Sequence, residues 1–216
     1  LIFSVVSFTK SNHVWEAEMD NNIKRDFSTI TLVMIPVAIA INIAVGQLIF
    51  VLKIPLYLDT IGTVLVGVLA GPWAGALTGL LSNFIWGLSG LNVTYAPFAV
   101  VAAAIGLLAG LFSDAGWFKA WWKVIVAGLI TGVIAAILSA PISAYVWGGV
   151  TGAGTDVIVA IFRSMGFGIL PSSFAQGVSS DPLDKAITFL LVWVIVQALP
   201  FRFLARFPRA ENVEEN

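Results

Sequence analysis

The sequence predicts an all-α membrane protein, a compact six-helix transmembrane bundle, and three observations carry that prediction. First, 59% of the residues are hydrophobic and only 11% are charged, with a mean hydropathy of +0.97, whereas soluble domains carry about 25% charged residues. A water-soluble fold has too little interior to hide that much apolar surface. Second, the apolar residues fall into runs near the ~20 residues that a helix needs to cross a bilayer. Third, the breaks between runs hold the charges, prolines, glycines and aromatic side chains that mark membrane interfaces.

Taken in order, residues 1–28 are expected to form a flexible N-terminal extension. The apolar stretch before Lys10 is too short to span and has no basic region ahead of it, and Met19 opens a more ordinary start, so residues 1–18 are expected to be an upstream addition. The first span runs from about Thr29 to Phe50, between Asp26 and Lys53. Two closely spaced runs follow, Leu58 to Ala70 and Trp73 to Leu88, split by Gly71-Pro72, where a ring without an N–H ends one helix and begins the next. The fourth span is expected from Pro97 to Phe112. A polar and aromatic turn, Ser113 to Lys123, separates it from the fifth at Val124 to Val146. A long outer loop, Trp147 to Pro182, then precedes a sixth helix at Leu183 to Leu204. Within that loop, Thr155 to Gly168 is apolar enough for a short helix lying on the membrane face or dipping into it. The membrane domain is thus 29–207, and 208–216 is expected to be a cytoplasmic tail.

Basic residues set the orientation. With six spans both termini share one side, which holds Lys24, Arg25, Lys119, Lys123, Arg202, Arg206 and Arg209, against Lys53, Arg163 and Lys185 on the other. The positive-inside rule places both termini in the cytoplasm. The net charge of −1 offers no footprint for nucleic acid, which is not expected as a partner. With no cysteine and a single histidine, His13, the chain lacks the donors for a thiolate or histidine metal centre.

Small residues recur at four-residue spacing: Ala40 and Ala44, Gly67 and Gly71, Gly75 and Gly79, Gly106 and Gly110, Gly128 and Gly132. In lipid, helix association depends on close backbone approach, which such pairs permit. The glycine pairs are expected to pack inside the bundle. For Ala40 and Ala44, internal packing and docking against another membrane protein both stand open.

Polar side chains inside a span cost a few kcal/mol each if they face lipid, so those present are expected to face the interior or a wet cavity. They gather toward the outer side: Asn42 and Gln47, Asp59 and Thr60, Asn83 and Trp86, Asn92, Thr94 and Tyr95, Ser139, Ser143, Tyr145 and Trp147, then Asp181, Asp184 and Lys185. This distribution predicts a cup open to the exterior, with aromatic walls for a planar ligand and a few groups to orient it. The candidate ligand-binding residues are Gln47, Asp59, Asn83, Trp86, Asn92, Tyr95, Ser139, Tyr145 and Trp147. Blander alternatives remain for several. Trp86, Tyr95, Tyr145 and Trp147 also suit an interfacial aromatic belt. Asp184 and Lys185 suit a cap on the sixth helix, and Asp59 suits either the N-cap of the second helix or a ligand contact.

No catalytic constellation emerges. There is no His-Glu-x-x-His, no Gly-x-Ser-x-Gly, no paired carboxylates within the expected spans, and no histidine to activate Ser82 or Ser139. No Walker A loop is present either, so active transport would need partner ATPases. No catalytic residue, metal ligand or cofactor is expected, which disfavours an intramembrane enzyme dependent on Asp59.

The run Ile54-Pro55-Leu56-Tyr57-Leu58-Asp59-Thr60-Ile61-Gly62-Thr63, followed by Leu69-Ala70-Gly71-Pro72-Trp73-Ala74-Gly75-Ala76-Leu77-Thr78-Gly79, resembles the substrate-binding S component of energy-coupling factor (ECF) transporters. The resemblance extends over roughly Ile30 to Pro208, and the Asp181 to Lys185 run resembles members with no firm substrate. It implies a non-enzymatic, multi-pass subunit of a bacterial or archaeal cytoplasmic membrane that binds a vitamin-like micronutrient in an outward-facing pocket. It further implies that the subunit topples in the membrane to release its cargo, driven by two cytoplasmic ATPase subunits through a membrane coupling (T) subunit. Ala40 and Ala44 match in spacing and helix the motif by which family members dock on that coupling subunit. A nucleoside or nucleobase is an alternative cargo. A membrane ligand sensor or scaffold that moves nothing is the alternative of another class.

Overall fold

The computed structural model describes residues 21–213. The expectations for residues 1–18, and for the last three residues, lie outside this range. The described chain is all-helical, with no strand among the described residues. After a short helical stretch at 21–26, the helices are α1 (Thr29–Val51), α2 (Ile61–Ala70), α3 (Pro72–Leu88), α4 (Ala99–Asp114), α5 (Trp121–Trp147), α6 (Asp156–Ser164), α7 (Ile169–Ala198) and α8 (Phe201–Leu204). Short 3-10 turns occupy Val93–Phe98, Trp117–Lys119 and Ala210–Asn212.

Among the described residues, three segments are long and apolar enough to cross a membrane: α1 with 23 residues, the continuous turn and helix Val93–Asp114 with 22, and α5 with 27. Their outward faces carry exposed large apolar side chains, among them Val33, Val37, Val100, Leu111, Ile130 and Ile137. That is the reverse of a water-soluble surface and the expected face toward hydrocarbon chains. By contrast α2 has 10 residues and rises about 15 Å, half the ~30 Å hydrocarbon core.

The structure corrects the end of the chain. The expected long loop from Trp147 to Pro182 is largely helical: only 148–155 and 165–168 lie outside α6 and α7. The last long helix begins at Ile169, not Leu183, and ends at Ala198, not Leu204, with Pro182 inside it. A proline removes one ladder bond and ordinarily marks a boundary. Here the neighbouring helix α5 holds the segment in place, because Gly132 lies so close that a Cβ on it would fall 2.3 Å from the Cα of Pro182. Asp181, Asp184 and Lys185 therefore sit in mid-helix and are buried, rather than capping a helix start.

Small residues set the other contacts as well. α5 packs along α7, α3 along α4, α2 against both α3 and α4, and α1 against α2 and α3. A Cβ on Gly106 would lie 2.1 Å from the Gly75 carbonyl oxygen, one on Gly79 2.2 Å from that of Ala102, and one on Gly128 2.6 Å from the Cα of Ala186. Backbones meet directly at each crossing. Asn42, fully buried in α1, clamps three helices: its Nδ2 donates to Thr63 Oγ1 at 2.8 Å and Ser82 Oγ at 2.9 Å, and its Oδ1 accepts from the Gly62 amide at 2.7 Å. Ala40 and Ala44 lie on the opposite, exposed face of α1.

At the end of the bundle where the described chain begins and ends, residues on either side of the predicted domain boundaries are tied into the fold. Arg209 Nη2 donates to Asp26 Oδ1 at 2.7 Å, Arg209 also pairs with Asp114, and its amide donates to the Leu69 carbonyl at 3.1 Å. Asp26 Oδ2 in turn accepts from the Trp73 amide at the start of α3, at 3.0 Å. Gly71, with φ of 123°, leaves the space this carboxylate needs. Burial pushes the Asp26 carboxyl above its usual range, although Arg209 and the Trp73 amide pull the other way. Burial also opposes the charge on Arg209, but Asp114 and Asp26 more than offset it and raise its pKa.

Candidate functional site

The cavity lies at the opposite end of the bundle, where α1 and α3 finish and α2 and α4 begin. It comprises about 690 Å³ of space between atoms, the open solvent at its mouth included. Residues from several elements line it. Tyr57, Asp59 and Thr60 precede α2, Asn83 comes from α3, Thr94, Tyr95 and Phe98 from the 3-10 turn, Ser139 and Ser143 from α5, and Gln176, Asp181 and Lys185 from α7.

Lys185 is the centre of the polar wall. Its ammonium donates to Asp184 Oδ2 at 2.6 Å, Thr60 Oγ1 at 3.1 Å and Asp59 Oδ1 at 3.4 Å. Neither Asp59 nor Thr60 caps α2 through its side chain: Thr60 stands at the N-cap position without a capping bond, and both side chains turn to the lysine. The second oxygen of Asp184 accepts the amides of Tyr57 and Leu58 at 2.8 and 2.9 Å. Leu58 has φ of 49°, a left-handed conformation unusual for a residue of its bulk, and the two amides on one carboxylate oxygen accompany that turn. Asp181 differs from its neighbours. Among the described residues, hydroxyls alone reach it within hydrogen-bond range, Ser180 at 3.1 Å and Ser139 at 3.4 Å.

Aromatic rings make a second wall. Trp86 stacks on Tyr95 with centroids 3.6 Å apart and planes inclined by 21°, and Phe50 meets Tyr95 edge-on at 6.4 Å. Gln47 accepts the Trp86 indole N–H at 3.0 Å and fixes the ring from behind. The 148–155 segment closes one side of the site. Asp156 holds it by accepting from the amides of Thr151 and Gly152, while the Tyr57 hydroxyl is shared with Thr155 at 2.9 Å and Gln176 at 3.0 Å.

Of the residues singled out from the sequence, Asp59, Asn83, Tyr95 and Ser139 line the same cavity. Gln47 and Trp86 stand one layer behind it. Asn92 serves the chain itself, accepting from the Thr94 amide at 3.2 Å as the cap of the 3-10 turn. Tyr145 does not converge with them: it is 71% exposed on α5. Trp147 is partly buried at the end of α5 and is not a lining residue. Sequence reasoning missed Tyr57 and Gln176 and read Asp181 and Lys185 as a helix start. The available signal was spacing: Gln176, Ser180 and Asp184 recur every four residues, as do Asp181 and Lys185, which is a polar helix face passing through Pro182. Among the described residues no group of three His, Cys, Asp or Glu side chains is arranged to hold a metal ion. Comparison with protein families, with characterised proteins and with solved structures finds no match for this chain.

Proposed function

We propose that this chain is the substrate-capture subunit of an ECF-type transporter, a six-helix transmembrane bundle with both termini in the cytoplasm and the cavity opening outward. The cavity carries the reading: a partly open cleft with buried hydrogen-bonding groups and aromatic walls is the kind of place where a small molecule is held. The basic residues at the opposite end, including Lys24, Arg25, Lys119, Lys123 and Arg202, support a cytoplasmic assignment for that end. In this reading the two ends of the bundle have different tasks, capture outside and engagement of partners inside.

The chain is non-enzymatic, with ATP hydrolysis supplied by two partner ATPases acting through a membrane coupling subunit. The exposed Ala40 and Ala44 on α1 give that subunit a smooth surface on which a second helix can approach closely. Affinity purification from the native membrane is expected to recover two ATPases and one further membrane protein, and Ala40→Leu combined with Ala44→Leu to lose them while the chain itself stays monodisperse. An intact complex after both changes would overturn the docking role. Absence of ATP-dependent uptake in vesicles containing the whole complex would favour a ligand sensor instead.

A further inference from the structure

The charges around the cavity do not balance. Asp59, Asp181 and Asp184 face a single ammonium, that of Lys185. Asp184 is committed to that ammonium and to two backbone amides, and Asp59 shares the same lysine. Asp181 has only two hydroxyl partners, Ser180 and Ser139, and no cation within pairing distance among the described residues. A carboxylate that is 4% exposed and lines a cavity needs a counter-charge or dedicated donors.

A second observation points the same way and is independent of the acids. Asn83, 3% exposed on α3, lines the same cavity with its Oδ1 buried and without a hydrogen-bond partner. A buried acceptor without a partner in its own chain is open to a donor from outside it, a ligand's or a water's. Aromatic side chains, Tyr95 and Phe98, complete the lining, and rings favour flat cations over flat anions.

We infer that the cavity takes a planar organic cation bearing N–H donors, with Asp181 as its counter-charge and Asn83 as an additional acceptor. This assignment rests on the capture reading of the cavity and narrows its cargo to one chemical class. Lys185 does not repel such a ligand strongly, because Asp184 and Asp59 already surround its charge.

Three probes of nearly the same shape separate the effect of charge from that of fit: benzamidine, a cation, benzamide, neutral, and benzoate, an anion. Binding is measured by calorimetry on the full chain in lipid nanodiscs. Benzamidine is expected to bind at least about tenfold more tightly than benzamide, the scale of one added charge-assisted hydrogen bond, with benzoate weakest. Asp181→Asn, which keeps the shape of the side chain, is expected to bring the amidine and the amide to within about threefold of each other. Asn83→Ala is expected to weaken both and leave their ratio unchanged, since both offer N–H donors. Benzamide or benzoate equalling benzamidine, no binding of any probe at millimolar concentration, or a ratio that survives Asp181→Asn would each overturn the assignment. The transport reading fails separately. Cation preference without co-purified ATPases would remove the transporter and keep the site, whereas an assembled complex that prefers benzoate would do the opposite.

Discussion

Asp184 shows how one side chain organises its surroundings. Its carboxylate binds the nearest ammonium with one oxygen and two successive backbone amides with the other, so it joins α7 to the turn before α2. Removing one partner of a buried pair is costly because the other charge stays behind. Asp184→Ala is expected to cost roughly 3 kcal/mol, measured as a fall in the thermal midpoint of the detergent-purified protein. A shift no larger than that of Glu211→Gln, at an exposed ion pair with Arg25, would contradict this role. Individual residues were only partly legible in the sequence. Asp59 and Thr60 were recognised as polar groups at a helix start, but a cap and a lysine partner have the same local signature. The partner, 125 and 126 positions away, has no trace in local spacing.

At the scale of elements, glycine pairs were the most legible feature, because a missing Cβ has one main use between helices in lipid. Gly67, Gly75, Gly106, Gly128 and Gly132 all lie against neighbouring backbone. Gly132→Leu is expected to abolish a monodisperse product in size-exclusion chromatography, since the α7 backbone has no room to withdraw. Val133→Leu, one position along on the exposed face of α5, is expected to behave as wild type. The helix α7 was illegible in its first half for a physical reason. Its buried serines, glutamine and acids lower the hydropathy below that of a span, and Pro182 has the local appearance of a boundary. Burial against α5 overrides both.

For the whole molecule, composition alone indicated an apolar exterior, and exposed valines, leucines and isoleucines on α1, α4 and α5 agree with it. Composition did not indicate how the segments flanking the membrane domain are secured. Arg209 pairs with Asp26 across 183 positions of sequence and also with Asp114, which no pattern of neighbours encodes. Arg209→Ala is expected to destabilise the fold by roughly 3 kcal/mol, since it leaves the fully buried Asp26 without its cation. Limited proteolysis is expected to release the segment after Pro208 sooner in this variant than in wild type, and equal rates would contradict the latch. At the other end of the bundle, Pro182 divides the polar face of α7, with Gln176 and Ser180 before it and Asp184 and Lys185 after it. Because a proline cannot donate to the carbonyl four residues earlier, Val178 loses that rung and the helix is less stiff at this height. Because Gly132 of α5 lies directly against this same proline, a bend of α7 at this height presses on α5, so the spacing of the polar groups around the cavity is set by the two helices together.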